Sequence, residues 1–453
     1  MATCTETQVL VQEPRILLQP RPLAREPGSI LLVPLLPKRP KPVRLPWELW
    51  SHILYFVIFD EDVDYNKWNI HSRRTYFRNR WSLLYVCKDW LEAAKPLVYS
   101  DVHVFSISSL EKFVSQLHES EQRWDSIRRI PHSTPGRWVL SFDVAEIPTS
   151  DPGEPTAVDR LLTKVFPLLP FLSSLCLPGD LTLSSAALAS LHAKVGLEHL
   201  TTLRGFKIQW RPDNYAPYPA LEVLARCTQL ERLEIINEGP HAPSFLYSPI
   251  IPGSDDPTFF PSAPVLDLPR LSFLSVFAPS LTPVLAALLR APLPSLQHLM
   301  ITPSDDLPEG ATQALLSIHG ANLLTLRLNS PCSWPTLNPG LPPLITALHT
   351  SPQLRRLTLD YPLTPLAPPS PGGHPLQVIT IPRPNSRFLS SLEAQLPLLP
   401  DLAIVRLRNV KWLLNGMYGK ALESGVQGEM REWRTRLAKK KVRLVDTNWR
   451  DPM

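Results

Sequence analysis

The chain has 453 residues, of which 44% are hydrophobic and 19% charged, with a net charge of +5 and 52 prolines. Its length allows two or three domains, and its hydrophobic content predicts a folded protein. The small net charge, carried by scattered basic residues, gives no reason to expect a nucleic-acid partner. So much proline excludes a protein built mainly of long helices or central strands.

The cysteines and the first apolar run bear on the compartment. The five cysteines are far apart and form no CxxC pair, so they predict free thiols in a reducing compartment rather than disulfides or a zinc site. The run at residues 30–36 is short and is interrupted by Pro34, which predicts neither a membrane span nor a signal peptide. We therefore expect a soluble protein of the cytoplasm or nucleus with no membrane partner. Residues 1–44 predict a disordered, proline-rich leader.

Residues 45–99 predict two short helices around a polar segment. The first helix carries an apolar stripe at i, i+4, i+7 and i+8, formed by Leu49, Ile53, Phe56 and Val57. The second has an apolar face of Leu83, Cys87, Trp90, Leu91 and Ala94, and Pro96 is expected to end it. In the segment between them, we expect a solvated helix face at Arg73, Arg74, Arg78 and Arg80, with contact to a phosphate or an acidic partner as the alternative.

The order of these residues is more specific than the stripes. LPxEL, an apolar helix, then VCKxW and PLVY resembles the F-box, a small helical module that docks on a Skp-type adaptor of cullin-based ubiquitin ligases. The resemblance implies an adaptor-binding set made of Leu45, Pro46, Glu48, Leu49, Ile53, Val86, Cys87, Trp90 and Leu91. The chain departs from the family in a longer insert between the two halves. The alternative is an ordinary two-helix piece of core.

Residues 100–410 predict a second domain with a repeating pattern. Short strands are expected at Val102–Val104 and at Arg137–Val144. The template L-x-x-L-x-L then recurs, with its first apolar residue at positions 172, 203, 230, 271, 296, 323, 354, 376 and 402. Candidate helices lie between these copies, and most intervals are near the period of leucine-rich repeats. The asparagine typical of such repeats is absent, so the series resembles the irregular repeats found behind F-boxes.

We therefore predict an α/β fold, with a small N-terminal helical F-box-like module followed by an irregular leucine-rich-repeat solenoid. A mixed α/β domain with a partly parallel sheet is the alternative. Two proline-rich inserts, near residues 237–266 and 361–375, are expected to leave the repeats as loops. The first contains aromatic candidates for a target contact, namely Phe245, Tyr247, Phe259 and Phe260. A disordered surface loop is the other interpretation.

The C-terminal segment, residues 411–453, predicts a basic amphipathic helix at residues 429–443. Its apolar side contains Met430, Trp433 and Leu437, and we expect it to cover the exposed core of the last repeat. Binding to a phosphate-rich or membrane surface is a weaker alternative, because the stripe is only about two turns long.

The search for chemistry gives no catalytic motif, no metal-ligand spacing and no cofactor site. Cys87 is interpreted as a buried, inert thiol on a helix face. The sequence predicts a substrate receptor that binds a Skp-type protein and presents a protein substrate for ubiquitination. A non-catalytic interaction scaffold without ligase coupling is the alternative, and a hydrolase is the least favoured.

Overall fold

The structure is a computed structural model, and it describes residues 45–59, 70–122, 134–149, 151–209, 218–238, 265–277, 282–302, 311–329, 347–360, 373–412 and 425–451. The chain divides into two compact units, residues 1–46 and 47–453, and every helix and strand below belongs to the second. The predicted leader at residues 1–44 and the four candidate target-contact aromatics lie outside the described residues.

The described elements alternate between helices and short strands. The α-helices are α1 Trp47–Ile58, α2 Ile70–Ser82, α3 Lys88–Ser100, α4 Ile107–Gln122, α5 Glu154–Val165, α6 Ser185–Ala193, α7 Pro219–Arg226, α8 Pro283–Arg290, α9 Ala311–His319, α10 Ala347–Thr350, α11 Ser386–Gln395 and α12 Gly425–Ala438. The strands are β1 Asp101–His103, β2 Ser141–Asp143, β3 Ser174–Cys176, β4 Thr202–Gln209, β5 Arg232–Glu238, β6 Phe273–Phe277, β7 His298–Thr302, β8 Thr325–Leu328, β9 Arg356–Leu359, β10 Val378–Ile381, β11 Ile404–Leu407 and β12 Arg443–Val445.

The strands form one twelve-stranded sheet, β1 to β12 in chain order, in which neighbouring strands pair in parallel. Parallel neighbours need a crossover connection, and helices supply several of these crossovers. The α/β class is confirmed, and the sequential order is compatible with a solenoid-like arrangement. The assignment to leucine-rich repeats stays a prediction.

Each strand contributes one buried apolar residue that pairs in register with the corresponding residue of the next strand, and this shared burial explains why the strands stack. The paired residues are Val102, Phe142, Leu175, Leu203, Leu233, Leu274, Leu299, Leu326, Leu357, Ile379, Val405 and Leu444. All of them are buried in one continuous hydrophobic core. Side chains alternate along a strand, so the residues beside this buried ladder point to the opposite side of the sheet, which we call the strand face.

The register corrects one predicted repeat. Leu203 pairs with Leu175 and Leu233, which are the second apolar residues of their copies. Leu203 is therefore the second residue of its own copy, and the buried Leu200 is the first. The prediction that started this copy at Leu203 was wrong.

A bulge causes the shift. Phe206 pairs with Ile235, so β4 has one more residue than β5 between its two inward positions. Gly205 accommodates the extra residue with φ of +68°, which glycine adopts readily, and a Cβ at that position would collide with the Leu177 carbonyl oxygen.

Strands β1, β2 and β12 extend the ladder beyond the nine predicted copies. Val102 and Phe142 occupy the central position of β1 and β2, and the buried Tyr99 and Val139 precede them by three residues. Because these places hold Val, Phe and Tyr rather than Leu, the leucine template missed them. In β12 only Leu444 fits the template.

The C-terminal helix begins four residues and ends five residues earlier than predicted, at Gly425 and Ala438 instead of residues 429 and 443. It ends at Ala438 and the chain continues into β12, because Lys441 adopts φ of +63° and turns the backbone. Residues 411–453 thus add a strand to the sheet as well as a helix. The apolar side was predicted correctly, since Met430, Trp433 and Leu437 are buried, and Trp433 stacks on Phe388 of α11 at 6.4 Å.

The helices before β1 have a small core of their own, made of Leu54, Ile58, Ala93, Ala94 and Val98. We predicted that Pro96 ends α3, but it lies inside this helix. Burial of Val98 and Tyr99 stabilises the last turn and offsets the hydrogen bond that proline removes.

Candidate docking surface

Helix α1 carries two apolar stripes. Trp50, Leu54 and Ile58, at i, i+4 and i+8, face the small core, and the Trp50 ring lies 5.5 Å from the Trp90 ring of α3. The second stripe is the predicted one, formed by Leu49, Ile53, Phe56 and Val57. A helix that is apolar over most of its circumference needs partners on both sides, and α3 supplies only one.

The second stripe is exposed. Its four side chains have exposed fractions of 44–61%. Aromatic contacts order its edge, because the Phe56 ring lies 4.8 Å from His52 and 5.8 Å from Tyr55, both edge-on. Burying one such side chain contributes about 1.5–3 kcal/mol. The stripe is therefore a preordered apolar surface that the described residues leave uncovered.

A second exposed apolar group lies at the start of α3. A short 3-10 turn, Leu83–Tyr85, precedes the helix, and Tyr85, Val86 and Leu91 are exposed. Tyr85 is the most open at 87%. Since α1 packs on α3, the two exposed groups lie on adjoining elements. Nine of the sixteen exposed large hydrophobic side chains in the described part of the chain fall between residues 45 and 91.

Cys87 corrects a prediction. Helix α3 begins at Lys88, so Cys87 is its N-cap residue. The Cys87 Sγ accepts a hydrogen bond from the Trp90 backbone N–H at 3.4 Å. The thiol is exposed, whereas a buried position on the helix face was predicted.

Among the other predicted adaptor-binding residues, Leu45, Pro46 and Glu48 are exposed, and Trp90 is partly buried in the small core. Glu48 lies in the first turn of α1, where the helix dipole favours a carboxylate.

The arginines of α2 do not form the uniformly solvated face that we predicted. Arg74 and Arg78 are exposed, but Arg80 is buried and donates to Asp101 at 2.9 Å. Its guanidinium also lies 4.9 Å from the Phe59 ring. Arg73 forms an ion pair with Glu146. Helix α2 therefore packs against the first strands through Arg73 and Arg80.

His103 continues this polar contact on β1. Its Nε2 donates to Asp101 at 3.1 Å and its Nδ1 to Asp143 at 3.3 Å, while the ring stacks on Phe77 at 3.8 Å. Burial disfavours the imidazolium, but the two carboxylates outweigh burial and raise the pKa of His103 to about 9. Burial would raise the pKa of Asp101, but His103 and Arg80 hold it at about 2.

Two further cysteines that the structure describes are buried. Burial raises the pKa of Cys176 and of Cys227 to about 12, so both thiols are protonated at neutral pH. Within the described ranges, no group of three or more His, Cys, Asp or Glu side chains is arranged to hold a metal ion. The same ranges contain no helix with the length and hydrophobicity of a membrane span.

Sequence reasoning missed Tyr55 and Tyr85 as members of the exposed surface. Both are tyrosines flanking the predicted apolar positions, and their proximity in sequence to Phe56 and Val86 was a usable signal.

The chain matches no family model, and a search of curated proteins finds no match either.

Proposed function

We propose that this chain is a non-catalytic substrate receptor, in which an F-box-like module binds a Skp-type adaptor and the repeat domain holds a protein target for ubiquitination. The observation that carries the proposal is the exposed stripe Leu49, Ile53, Phe56 and Val57. Contiguous exposed apolar side chains on a soluble protein are typical of an interaction surface.

The resemblance to the F-box supplies the partner. The predicted set draws on both α1 and the start of α3, and these two elements carry the two exposed apolar groups. An adaptor that buried both groups would gain several apolar anchors of the kind that dominate protein interfaces. Helix α3 would keep its contact with α1 through Trp50 and Trp90, so docking would need no opening of the small core.

In this proposal the chain itself breaks no bond. It would raise the effective concentration of a target lysine beside a ubiquitin-loaded enzyme that the ligase complex supplies. The contacts between α2 and the first strands, through Arg80 and Asp101, would limit the motion between adaptor and target.

Co-expression with a Skp-type adaptor tests the proposal. We expect a stable complex with the wild-type chain and none with the double variant Leu45→Ala, Pro46→Ala. The control is Val195→Ala, at an exposed apolar position far from the module in sequence. Retention of the adaptor by the double variant would overturn the assignment of the interface.

An interaction scaffold without ligase coupling is the second candidate. It rests on the same observation, because exposed apolar side chains do not by themselves specify which protein covers them. The same exposed stripe would then bind another protein. A folded chain that forms no complex with the adaptor would favour this alternative.

A further inference from the structure

We propose that the C-terminal half of the strand face, from β8 to β12, binds an Asp/Glu-rich segment of the target protein. This inference rests on the proposed function in treating the strand face as the target-binding surface, and it specifies the chemistry of the target. The arginines Arg327, Arg356, Arg406, Arg408 and Arg443 form the site.

These arginines share one face because of the strand alternation. Their strand neighbours Leu326, Leu357, Val405, Leu407 and Leu444 are buried in the core. The arginines therefore project from the opposite side of the sheet. Arg327 pairs in register with Thr358, and Arg406 with Thr380, so the basic side chains are distributed over several adjacent strands.

The positive charge of this half is poorly balanced. Arg408 forms an ion pair with Asp360 at 2.9 Å. Within the described residues, no acidic side chain forms an ion pair with Arg327, Arg356, Arg406 or Arg443. The Nε atoms of Arg327 and Arg406 are buried and have no hydrogen-bond partner there. Burial, followed by the charge of Arg408, lowers the pKa of Arg327 and of Arg406, and the opposing effects of Asp360 on Arg327 and of Asp446 on Arg406 are smaller.

The first half of the same face differs. There the acidic side chains Asp101 and Asp143 flank His103, and Glu234 accepts from Arg204 at 3.3 Å. Their charges are largely balanced by these local contacts. The first half also carries basic side chains, Lys207 and Arg232, but its carboxylates Asp101, Asp143 and Glu234 would repel a partner with negative charge. We therefore expect such a partner to prefer the C-terminal half.

A strained turn holds Arg406 in place. Trp449 has φ of +60°, a left-handed backbone conformation that is strained for a bulky residue. The buried Asp446 fixes the turn by accepting from the backbone N–H groups of Asn448 and Arg450 at 2.8 and 2.9 Å. The Trp449 ring, 50% exposed, then lies 4.5 Å from the Arg406 guanidinium.

The spacing favours a peptide over a single phosphate or a nucleic acid. Strands β8 to β12 span about 19 Å, which about six extended residues cover. Separate carboxylates along a peptide suit guanidiniums distributed in this way, each by a charge-assisted hydrogen bond. A longer nucleic acid would meet the acidic side chains of the first half.

The test measures the binding of a labelled Glu/Gly peptide of about eight residues to the full chain, by fluorescence anisotropy at low salt and without adaptor. We expect binding that weakens as salt is added and falls at least about tenfold in the double variant Arg327→Gln, Arg356→Gln. The matched control is Lys207→Gln with Arg232→Gln, two basic residues of the first half of the strand face, which should bind as the wild type does. Arg356→Glu, at an exposed position, is a second variant in case the double variant fails to fold.

Three results would overturn the proposal: no binding of the Glu/Gly peptide by the wild type, an equal loss in the control variant, or tighter binding of a single-stranded RNA or a phosphoserine/glutamine peptide of the same length. Because the assay contains no adaptor, its failure would leave the adaptor experiment untouched, and a failed adaptor experiment would leave this one untouched.

Discussion

Ile53 and Leu54 are consecutive residues of α1, yet Leu54 is fully buried while Ile53 is 44% exposed. The boundary between the internal core and the candidate docking surface therefore falls between two neighbouring apolar side chains. We predict that Leu54→Ala lowers the free energy of unfolding by about 2–5 kcal/mol, because it leaves a cavity, and that Ile53→Ala changes it by less than about 0.5 kcal/mol. Urea unfolding of the two variants measures both. An equal loss in the two would mean that the stripe is covered in the free chain.

The His103 contacts predict a dependence of stability on pH. The pKa of His103 rises from its ordinary 6.5 to about 9 in the folded chain, so its contribution is complete below pH 6.5 and is lost as the pH rises through 9. We expect a loss of up to about 3 kcal/mol over this range in the wild type, and a smaller one in His103→Gln. Unfolding free energies at pH 6 and pH 9.5 provide the comparison, and identical pH profiles would contradict it.

The lowered pKa of Asp101 predicts a loss of stability at acidic pH. Its pKa is held at about 2, below the ordinary 3.8, so its contribution is present above pH 3.8 and is lost as the pH falls through 2. Asp101→Asn should therefore destabilise the chain at pH 6 and have a smaller effect at pH 2. A thermal unfolding series in acid tests this, and a destabilisation that does not change with pH would refute the ionic role.

Arg80 and Arg78 form a matched pair on α2. Arg80 is buried against Asp101 and Phe59, whereas Arg78 is exposed. We expect Arg80→Ala to cost about 1–3 kcal/mol, because it removes a charge-assisted hydrogen bond and leaves Asp101 short of a partner, and Arg78→Ala to be nearly neutral. Differential scanning calorimetry would reveal the contrast. Equal melting temperatures would show that the contact between α2 and β1 is weak.

Gly205 tests the bulge in β4. Gly205→Ala should destabilise the chain by a few kcal/mol, since φ of +68° and the Leu177 carbonyl oxygen both disfavour a Cβ. Gly153→Ala is the control, because nothing lies within 4 Å of the added atom. If Gly205→Ala were as stable as the control, the backbone at the bulge would have to be different.

Leucine spacing was sufficient to predict the strands from β3 to β11, because one-sided burial in a stacked sheet demands the same apolar position in each copy. It left out Val102 and Phe142, where other apolar residues satisfy the same demand, although strands containing both residues were predicted separately. It also assigned Leu203 to the first position of its copy instead of the second, because no local sequence pattern shows that β4 has a bulge at Gly205.

The candidate surface was predictable in part for a similar reason. Helical periodicity places Ile53 and Phe56 on one stripe, but it does not say which of two stripes the chain covers itself. The role of Arg80 depends on Asp101, which the fold brings beside it from twenty-one residues away. The capping role of Cys87 required the true start of α3.

The most direct test of the central proposal is a calorimetric titration of a purified Skp-type adaptor into the chain and into the double variant Ile53→Ala, Phe56→Ala. Both side chains are exposed, so the variant should fold as the wild type does, while loss of two apolar anchors should weaken binding at least about tenfold. Val195→Ala serves as the control and should bind with unchanged affinity. An unaltered affinity in the double variant, or no binding by the wild type, would contradict the account.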